Sequence, residues 1–270
     1  MANEADSAPL TNRWGHTSDS APGSSAASRD VCRCFDQHEV SNRRRVRFHS
    51  ERQDASSPAW QHLLALVDEA AADGREVFRP LVEMSPQERR QIVTLPPSIK
   101  GLTAVKHFDL YGSNLVRIPP EISAMSSLQE FTPYTSHRLH WFPYELTRCP
   151  SLKRSTVSTR ALYGNEKLRP PFPPLQPARI TTGAVRLGAV EPGEWGPSAI
   201  RSCSVCDRSL EGAEIHQAWI SLRVATDVLP LLVNACSASC LQALPKPPED
   251  YVQIPHAGGP GLAQPTADYA

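Results

Sequence analysis

The apolar positions of this chain follow three different rhythms. From Trp60 to Ala72, Leu63, Leu64, Leu66, Val67 and Ala70 recur at helical spacing, and Gly74 follows as a stop, so the pattern predicts a helix. A short extended piece is expected around Val77 to Val82. Ser85-Pro86-Gln87-Glu88 then places a capping serine, a proline at the first helical position and an acid three residues after the cap, which predicts a brief second helix closed by Leu95-Pro96-Pro97. The third rhythm is longer. Leu95-Pro96-Pro97-Ser98-Ile99 recurs as Ile118-Pro119-Pro120-Glu121-Ile122 and as Phe142-Pro143-Tyr144-Glu145-Leu146, so that Pro96, Pro119 and Pro143 are separated by 23 and 24 residues. Leu102, Met125 and Cys149 follow at one offset, the last most simply a buried core thiol. Between them run Val105, Phe108 and Leu110 with Leu115, then Leu128, Phe131 and Pro133 with Leu139, then Leu152, Ser155 and Val157 with Leu162.

A repeat of this length cannot bury its apolar face alone, so neighbouring units must stack. Residues 95–165 resemble a leucine-rich repeat array, whose units read L-x-x-L-x-L-x-x-N-x-L-x-x-L-P-x-x-I. The resemblance implies an α/β fold: a short solenoid of about three coils, with residues 58–94 as a helical N-terminal cap. Three departures stand out. Ser113, Ser136 and Arg160 occupy the place of the family's turn-forming Asn, with Asn114 one position late, so the side-chain ladder that locks the turns is expected to be weak. Pro133 forfeits a backbone donor at an inward strand position, and Ser155 is polar where Leu is expected.

The resemblance also implies a concave face lined by the residues between the inward positions. Its columns are Lys106, Gln129 and Lys153; His107, Glu130 and Arg154; Asp109, Thr132 and Thr156; and Tyr111, Tyr134 and Ser158. Two stacked tyrosines beside mixed charges read as a surface for a protein partner, since Tyr and Arg are over-represented among binding anchors. The alternative is that these side chains merely cover a short sheet. His137, His140 and Trp141 fall in a one-residue insertion, placed either to extend that surface or to pack against the Pro-rich stretch that follows.

That stretch, residues 166–200, contains Arg169-Pro170-Pro171-Phe172-Pro173-Pro174 and reads as an extended linker or strap. Behind it, Cys203-Ser204-Val205-Cys206 is followed after 29 residues by Cys236-Ser237-Ala238-Ser239-Cys240. A Cys-x-x-Cys turn aims two sulfurs at one ion, and Cys-x-x-x-Cys at a helix start sets two more a turn apart on one face. Cys203, Cys206, Cys236 and Cys240 are thus the candidate ligands of a closed four-thiolate site, which soft-ligand logic assigns to zinc before iron. Ile215 to Val224 and Val228 to Val233 read as strands around Ala225-Thr226-Asp227, and Leu241 and Leu244 continue a short helix. Knuckle, hairpin and helix over residues 201–245 resemble a treble-clef zinc finger. His216 is an alternative ligand, though a strand histidine facing solvent is the simpler reading. A thiol enzyme working through Cys203 and Cys206 is the rival reading of the same residues.

Composition narrows the function classes. The 28 Lys and Arg balance 28 Asp and Glu, which removes the electrostatic case for a nucleic-acid or anionic-membrane partner. A nucleic-acid adaptor would have to use the run Arg43-Arg44-Arg45-Val46-Arg47 with a zinc module whose basic residues are few (Arg201, Arg208 and Arg223). No apolar run approaches the ~20 residues of a membrane span, and the first thirty residues lack a secretory pattern, so the expected location is cytoplasmic. Proline, at 26 of 270 residues, is about twice its usual share of ~5%. Residues 1–57 and 246–270 lack apolar periodicity and are expected to be disordered. Cys32 and Cys34, one residue apart, match no common zinc spacing. No phosphate-binding Gly-rich loop, nucleophile elbow or H-E-x-x-H occurs. The expectation is a non-enzymatic interaction protein with a structural zinc site.

Overall fold

Helix α1 (Pro58–Asp73) starts where Ser57 Oγ accepts the Trp60 N–H at 3.3 Å, and it ends at Gly74, whose φ of 67° is the left-handed geometry that favours glycine. Its buried face carries Trp60, Leu63, Leu66, Val67 and Ala70. This computed structural model describes residues 49, 51–164, 171–175, 179–181, 184–186, 200–210 and 215–264, all within one unit spanning Cys32–Ala270. Cys32, Cys34 and Arg43–Arg47 lie outside the described residues. Order begins before Pro58, contrary to the expected disorder through residue 57. Gln53 is buried, and its Oε1 accepts the Val93 N–H at 2.9 Å while its amide donates to Gln91 O. A polar side chain can hold a segment that apolar periodicity does not mark.

After α1 only Val77–Phe78 (β1) is extended, because Pro80 opens a short helix α2 (Pro80–Glu83) in what the pattern gave as a longer extended piece. Helix α3 (Pro86–Gln91) carries the capping box that its sequence forecasts. Glu88 N–H donates to Ser85 Oγ, and Ser85 N–H donates to Glu88 Oε2 at 2.7 Å.

Three further strands, β2 (His107–Asp109), β3 (Glu130–Thr132) and, beyond β4 (Phe142–Pro143), β5 (Arg154–Ser155), join β1 in a parallel sheet of order β1-β2-β3-β5. Phe108 pairs with Phe131 and Phe131 with Ser155, steps of 23 and 24 residues. The cap contributes β1 to this sheet, with Val77 opposite His107, so residues 58–94 are not purely helical. Behind the strands, the 3-10 turns Pro97–Gly101, Pro120–Ala124 and Tyr144–Arg148 stack in the same order, the first two opened by a proline at their first helical position. Phe78, Phe108, Phe131 and Phe142 run through the core with successive ring centroids 5.7, 6.2 and 6.1 Å apart. Burying each such side chain contributes about 1.5–3 kcal/mol.

The first two turns are locked, against the expectation of a weak ladder. Ser113 Oγ and Ser136 Oγ are 2.6 Å apart, Ser136 Oγ donates to Leu110 O, and Ser158 Oγ accepts the Thr135 N–H at 2.7 Å. Serine thus does the bridging at these positions, while the Asn114 amide donates to Arg90 O at 2.7 Å. Pro133 sits just past the end of β3, where no ladder donor is required.

The remaining strands are β6 (Arg179–Thr181) and β7 (Ala184–Arg186), an antiparallel pair, and the long hairpin β8 (His216–Val224) and β9 (Asp227–Ala235). β9 also pairs in parallel with β4, Phe142 opposite Leu231, which gives a mixed sheet β4-β9-β8. The architecture is α/β with parallel and mixed sheets and no closed barrel among the described residues. Residues 201–245 are therefore not a separate module. One hydrophobic core runs from Trp60 through Phe131 to Leu231 and Ala235.

Ser155, the polar residue at a core position, is where the hairpin docks. Its Oγ–H donates to Val224 O at 2.9 Å, and Oγ accepts the Asp227 N–H at 3.2 Å. Its backbone N–H donates to Thr226 Oγ1, whose hydroxyl donates to Ser155 O at 2.6 Å. Restoring the apparent consensus with Ser155→Leu should therefore destabilise the protein. The loss should be about 2–3 kcal/mol, because it strands buried hairpin groups and overfills the site. A urea midpoint equal to or above that of the wild type would contradict this.

The segment after Pro245, expected to be loose, packs as far as residue 264. His256 and Trp219 pair through their backbones at 2.8 and 3.0 Å. The Pro-rich strap lies alongside: Leu175 N–H donates to Ala257 O, Gly259 N–H to Phe172 O, and Trp219 Nε1–H to Pro173 O at 3.1 Å. Trp219, Phe172, Tyr163, Trp141 and Leu232 form a second cluster. Two glycines permit it. At Gly164 (φ 58°) a Cβ would lie 1.5 Å from the Phe172 ring, and at Gly258 (φ 71°) 2.3 Å from Pro173 O. No helix among the described residues is long and apolar enough to cross a membrane.

Three histidines are built into these contacts. Burial, with Arg138 nearby, holds His49 at a pKa of about 4, and burial with His49 and Arg138 nearby holds His140 at about 3. Burial alone holds His256 at about 4. His140 stacks between His49 and Tyr163 and donates from Nδ1 to Ala161 O, while His256 Nδ1 accepts the Gly258 N–H. Each is neutral when folded and takes a proton near pH 6.5 when unfolded. Their stabilisation is complete above that pH and is lost as pH falls from about 6.5 to 4 for His49 and His256 and to about 3 for His140. The expected result is a loss of about 2–3 kcal/mol per histidine between pH 7.5 and 4.5, read from urea midpoints. Flat midpoints over that range would mean that these rings are not held neutral.

Candidate functional site

The Cys203–Cys206 knuckle is a tight loop closed by backbone. Cys203 N–H donates to Arg208 O at 2.8 Å, Asp207 N–H to Cys203 O at 3.1 Å, and Asp207 takes a φ of 62° to turn the chain. The second pair sits where β9 runs into helix α4 (Ala238–Gln242). Ser237 caps this helix by accepting the Cys240 N–H, so Cys236 and Cys240 flank its start. Ser204 and Asn234 clamp the two halves: Ser204 N–H donates to Asn234 O at 2.8 Å, and Asn234 N–H to Ser204 Oγ at 3.0 Å. Arg148, from the third 3-10 turn, pairs with Asp207 and donates to Ser204 O at 2.6 Å, joining the knuckle to the repeats.

The four sulfurs all lie within 4.8 Å of one another, with Cys206 to Cys236 and Cys236 to Cys240 both at 3.6 Å. Tetrahedral coordination at a Zn–S distance of ~2.3 Å sets sulfurs about 3.8 Å apart, whereas a disulfide needs about 2.05 Å. All four cysteines are free thiols, and the set is close enough to hold a metal ion. Cys203 is fully buried. Burial opposes its ionisation, but N–H groups of Cys206, Val205 and Cys236 directed at its sulfur hold it down at about 7. Cys236 is pushed up to about 12, chiefly by the Cys206 sulfur beside it. Four thiolates at such spacing require a cation to be charged together. Cys203 and Cys206 do not stand apart as a dithiol pair. His216, half-buried and opposite Ala235 in the hairpin, is not among the clustered ligands.

On the repeat sheet, His107, Glu130 and Arg154 fall on one register line and Asp109 faces Thr132. Lys106, Gln129 and Lys153 form the neighbouring column, linked by Gln129 N–H to Lys106 O and Lys153 N–H to Gln129 O. Charges alternate across it. Glu130 pairs with Arg154 and lies 3.6 Å from His107, Arg79 lies 3.4 Å from Asp109, and Lys106 pairs with Glu76. Tyr111 and Tyr134, exposed at 60% and 44%, stand with ring centroids 6.0 Å apart. His140 and Trp141 are buried away from this face, against Tyr163 and Trp219.

Sequence reasoning missed the groups between the repeats and the knuckle. Glu121 and Glu145 occupy the same position in successive repeats, half-buried and buried respectively. Burial raises both carboxyl pKa values. The recurrence of an acid after Pro120 and Tyr144 was the available signal. Comparison with protein-family models found no match to this chain, and comparison with curated proteins found no relative.

Proposed function

We propose that the chain is a non-enzymatic interaction protein in which a three-unit leucine-rich repeat presents its strand face to a protein partner and a structural zinc site secures the C-terminal hairpin that closes the stack. The observation that carries the reading is the exposed Tyr111 and Tyr134 pair set beside the mixed-charge columns Lys106, Gln129 and Lys153, and His107, Glu130 and Arg154. Exposed aromatic pairs next to Arg are typical anchors of protein contacts. Zinc fits the four-cysteine set because a closed tetrahedron of thiolates suits a soft, redox-inert ion. With four protein ligands, no coordination position is left for substrate, so the ion contributes folding energy.

The test is capture of cross-linked partners by the wild type and by Tyr111→Ala with Tyr134→Ala. Both tyrosines are exposed, so the double variant should melt like the wild type while partner recovery falls by about 2 kcal/mol or more of binding energy. Unchanged recovery from a folded double variant would remove this face from the interaction.

A further inference from the structure

A cleft of about 250 Å³ opens between the second and third 3-10 turns and the knuckle, with β9 at its back. Its walls come from segments distant in sequence, so it exists only in the assembled fold. Trp141 and Leu232 supply an apolar wall, and Glu121, Glu145, Thr94 and Arg201 supply polar groups. Two of these carry unmet hydrogen-bonding capacity. Thr94 is 1% exposed and its Oγ1 has no hydrogen-bond partner, and neither does Glu121 Oε2. A buried polar atom left unpaired is costly, and a ligand supplying the missing partner removes that cost. Desolvation of the two carboxyls acts in the same direction, because a cation between them would restore what burial takes away.

The charge arrangement narrows the ligand. Arg148 is already paired with Asp207, and Arg117 donates to Glu51 O. Glu145 already takes a hydrogen bond from the Ser204 side chain, and Glu121 feels Lys100 and Arg201, so the unpartnered Glu121 Oε2 inside and the exposed Arg201 guanidinium at the rim remain to meet an incoming molecule. A simple cation would face Arg201, and a simple anion would face both carboxyls. A molecule carrying both charges satisfies each end. The volume is below the ~300–1,000 Å³ of drug-sized pockets, so the molecule is small.

We propose that this cleft binds a free α-amino acid with an apolar side chain, its ammonium between Glu121 and Glu145, its carboxylate toward Arg201 and its side chain on Trp141 and Leu232. A peptide end offers only one of the two charges and does not meet the requirement.

Calorimetric titration of the full chain with leucine and phenylalanine tests this, beside isopentylamine, which lacks the carboxylate, and 4-methylpentanoate, which lacks the ammonium. The expected result is saturable 1:1 binding of at least one amino acid, with each single-charge analogue weaker by about tenfold or more. Glu121→Gln should weaken the amino acid by about tenfold. Arg201→Ala, at an exposed position that folding tolerates, should weaken the amino acid but leave isopentylamine as tight as before or tighter. No saturable heat with either amino acid, or isopentylamine binding as tightly as leucine, would overturn the proposal. The first outcome would leave solvent as the occupant of the cleft, and the second would make it a plain cation site.

Discussion

Cys236→Ser is expected to abolish metal binding at the four-cysteine cluster and to unfold the C-terminal half of the molecule. Cys236 is the hub of the sulfur cluster, 3.6 Å from both Cys206 and Cys240, and its N–H also donates to Cys203 Sγ. Structural zinc contributes an apparent ~10–16 kcal/mol in small metal-dependent domains. That matches or exceeds the ~5–15 kcal/mol of a typical folded protein. The damage should not stop at the knuckle, because β9 pairs with β4 and the hairpin turn is bonded to Ser155. Elemental mass spectrometry should therefore give about one zinc per wild-type chain and none for the variant. Hydrogen exchange should speed up in the hairpin first and in β5 next. A strong chelator added to the wild type should reproduce both effects. A metal-free variant that melts like the wild type would refute the structural role, and iron in place of zinc would refute the identity of the ion.

Trp219→Ala should be the most damaging substitution away from the cysteines. Trp219 is fully buried, with Trp141, Tyr163 and Phe172 at centroid distances of 6.1, 5.9 and 5.7 Å, and its indole N–H holds Pro173 O. Large aromatic truncations in cores cost about 3–5 kcal/mol, which for a chain of this size lowers the melting temperature by about 10 °C. The loss should also have a place. The strap around Phe172 and the segment around His256 have their anchor here, so both should become protease-sensitive before the repeats do. Uniform destabilisation with no new cleavage near residues 171–175 or 253–259 would contradict this account.

The strand columns, the Gly74 stop and the Ser85 cap were legible because they are written locally, whereas the Ser57 cap of α1 lay in a stretch expected to be disordered. Phe108 and Phe131 lie 23 residues apart and pair in register, and Ser85 with Glu88 closes its box within one turn. The four-sulfur cluster was legible because two sulfurs on one tight turn and two on one helix start need little else to converge. Ser155 shows the limit. Read along the chain, it was a defect in an apolar pattern, yet its partners are Val224, Thr226 and Asp227, some seventy residues away. The ladder formed by Ser113 and Ser136 was likewise underrated, since a hydroxyl can bridge a turn when the neighbouring strand brings a second hydroxyl to 2.6 Å.

Local pattern and cysteine spacing were enough to specify the recurring strand positions, the Gly74 stop, the Ser85 cap and a four-sulfur cluster. Each depends on interactions within a turn or on a period short enough to count. The shared core of repeats and hairpin, the anchoring of the tail on Trp219, and the cleft between Glu121, Glu145 and Arg201 depend on which distant surfaces meet. That choice is made by the summed burial of whole faces and by polar groups that find partners only once those faces close, and neither leaves a mark at fixed spacing along the chain.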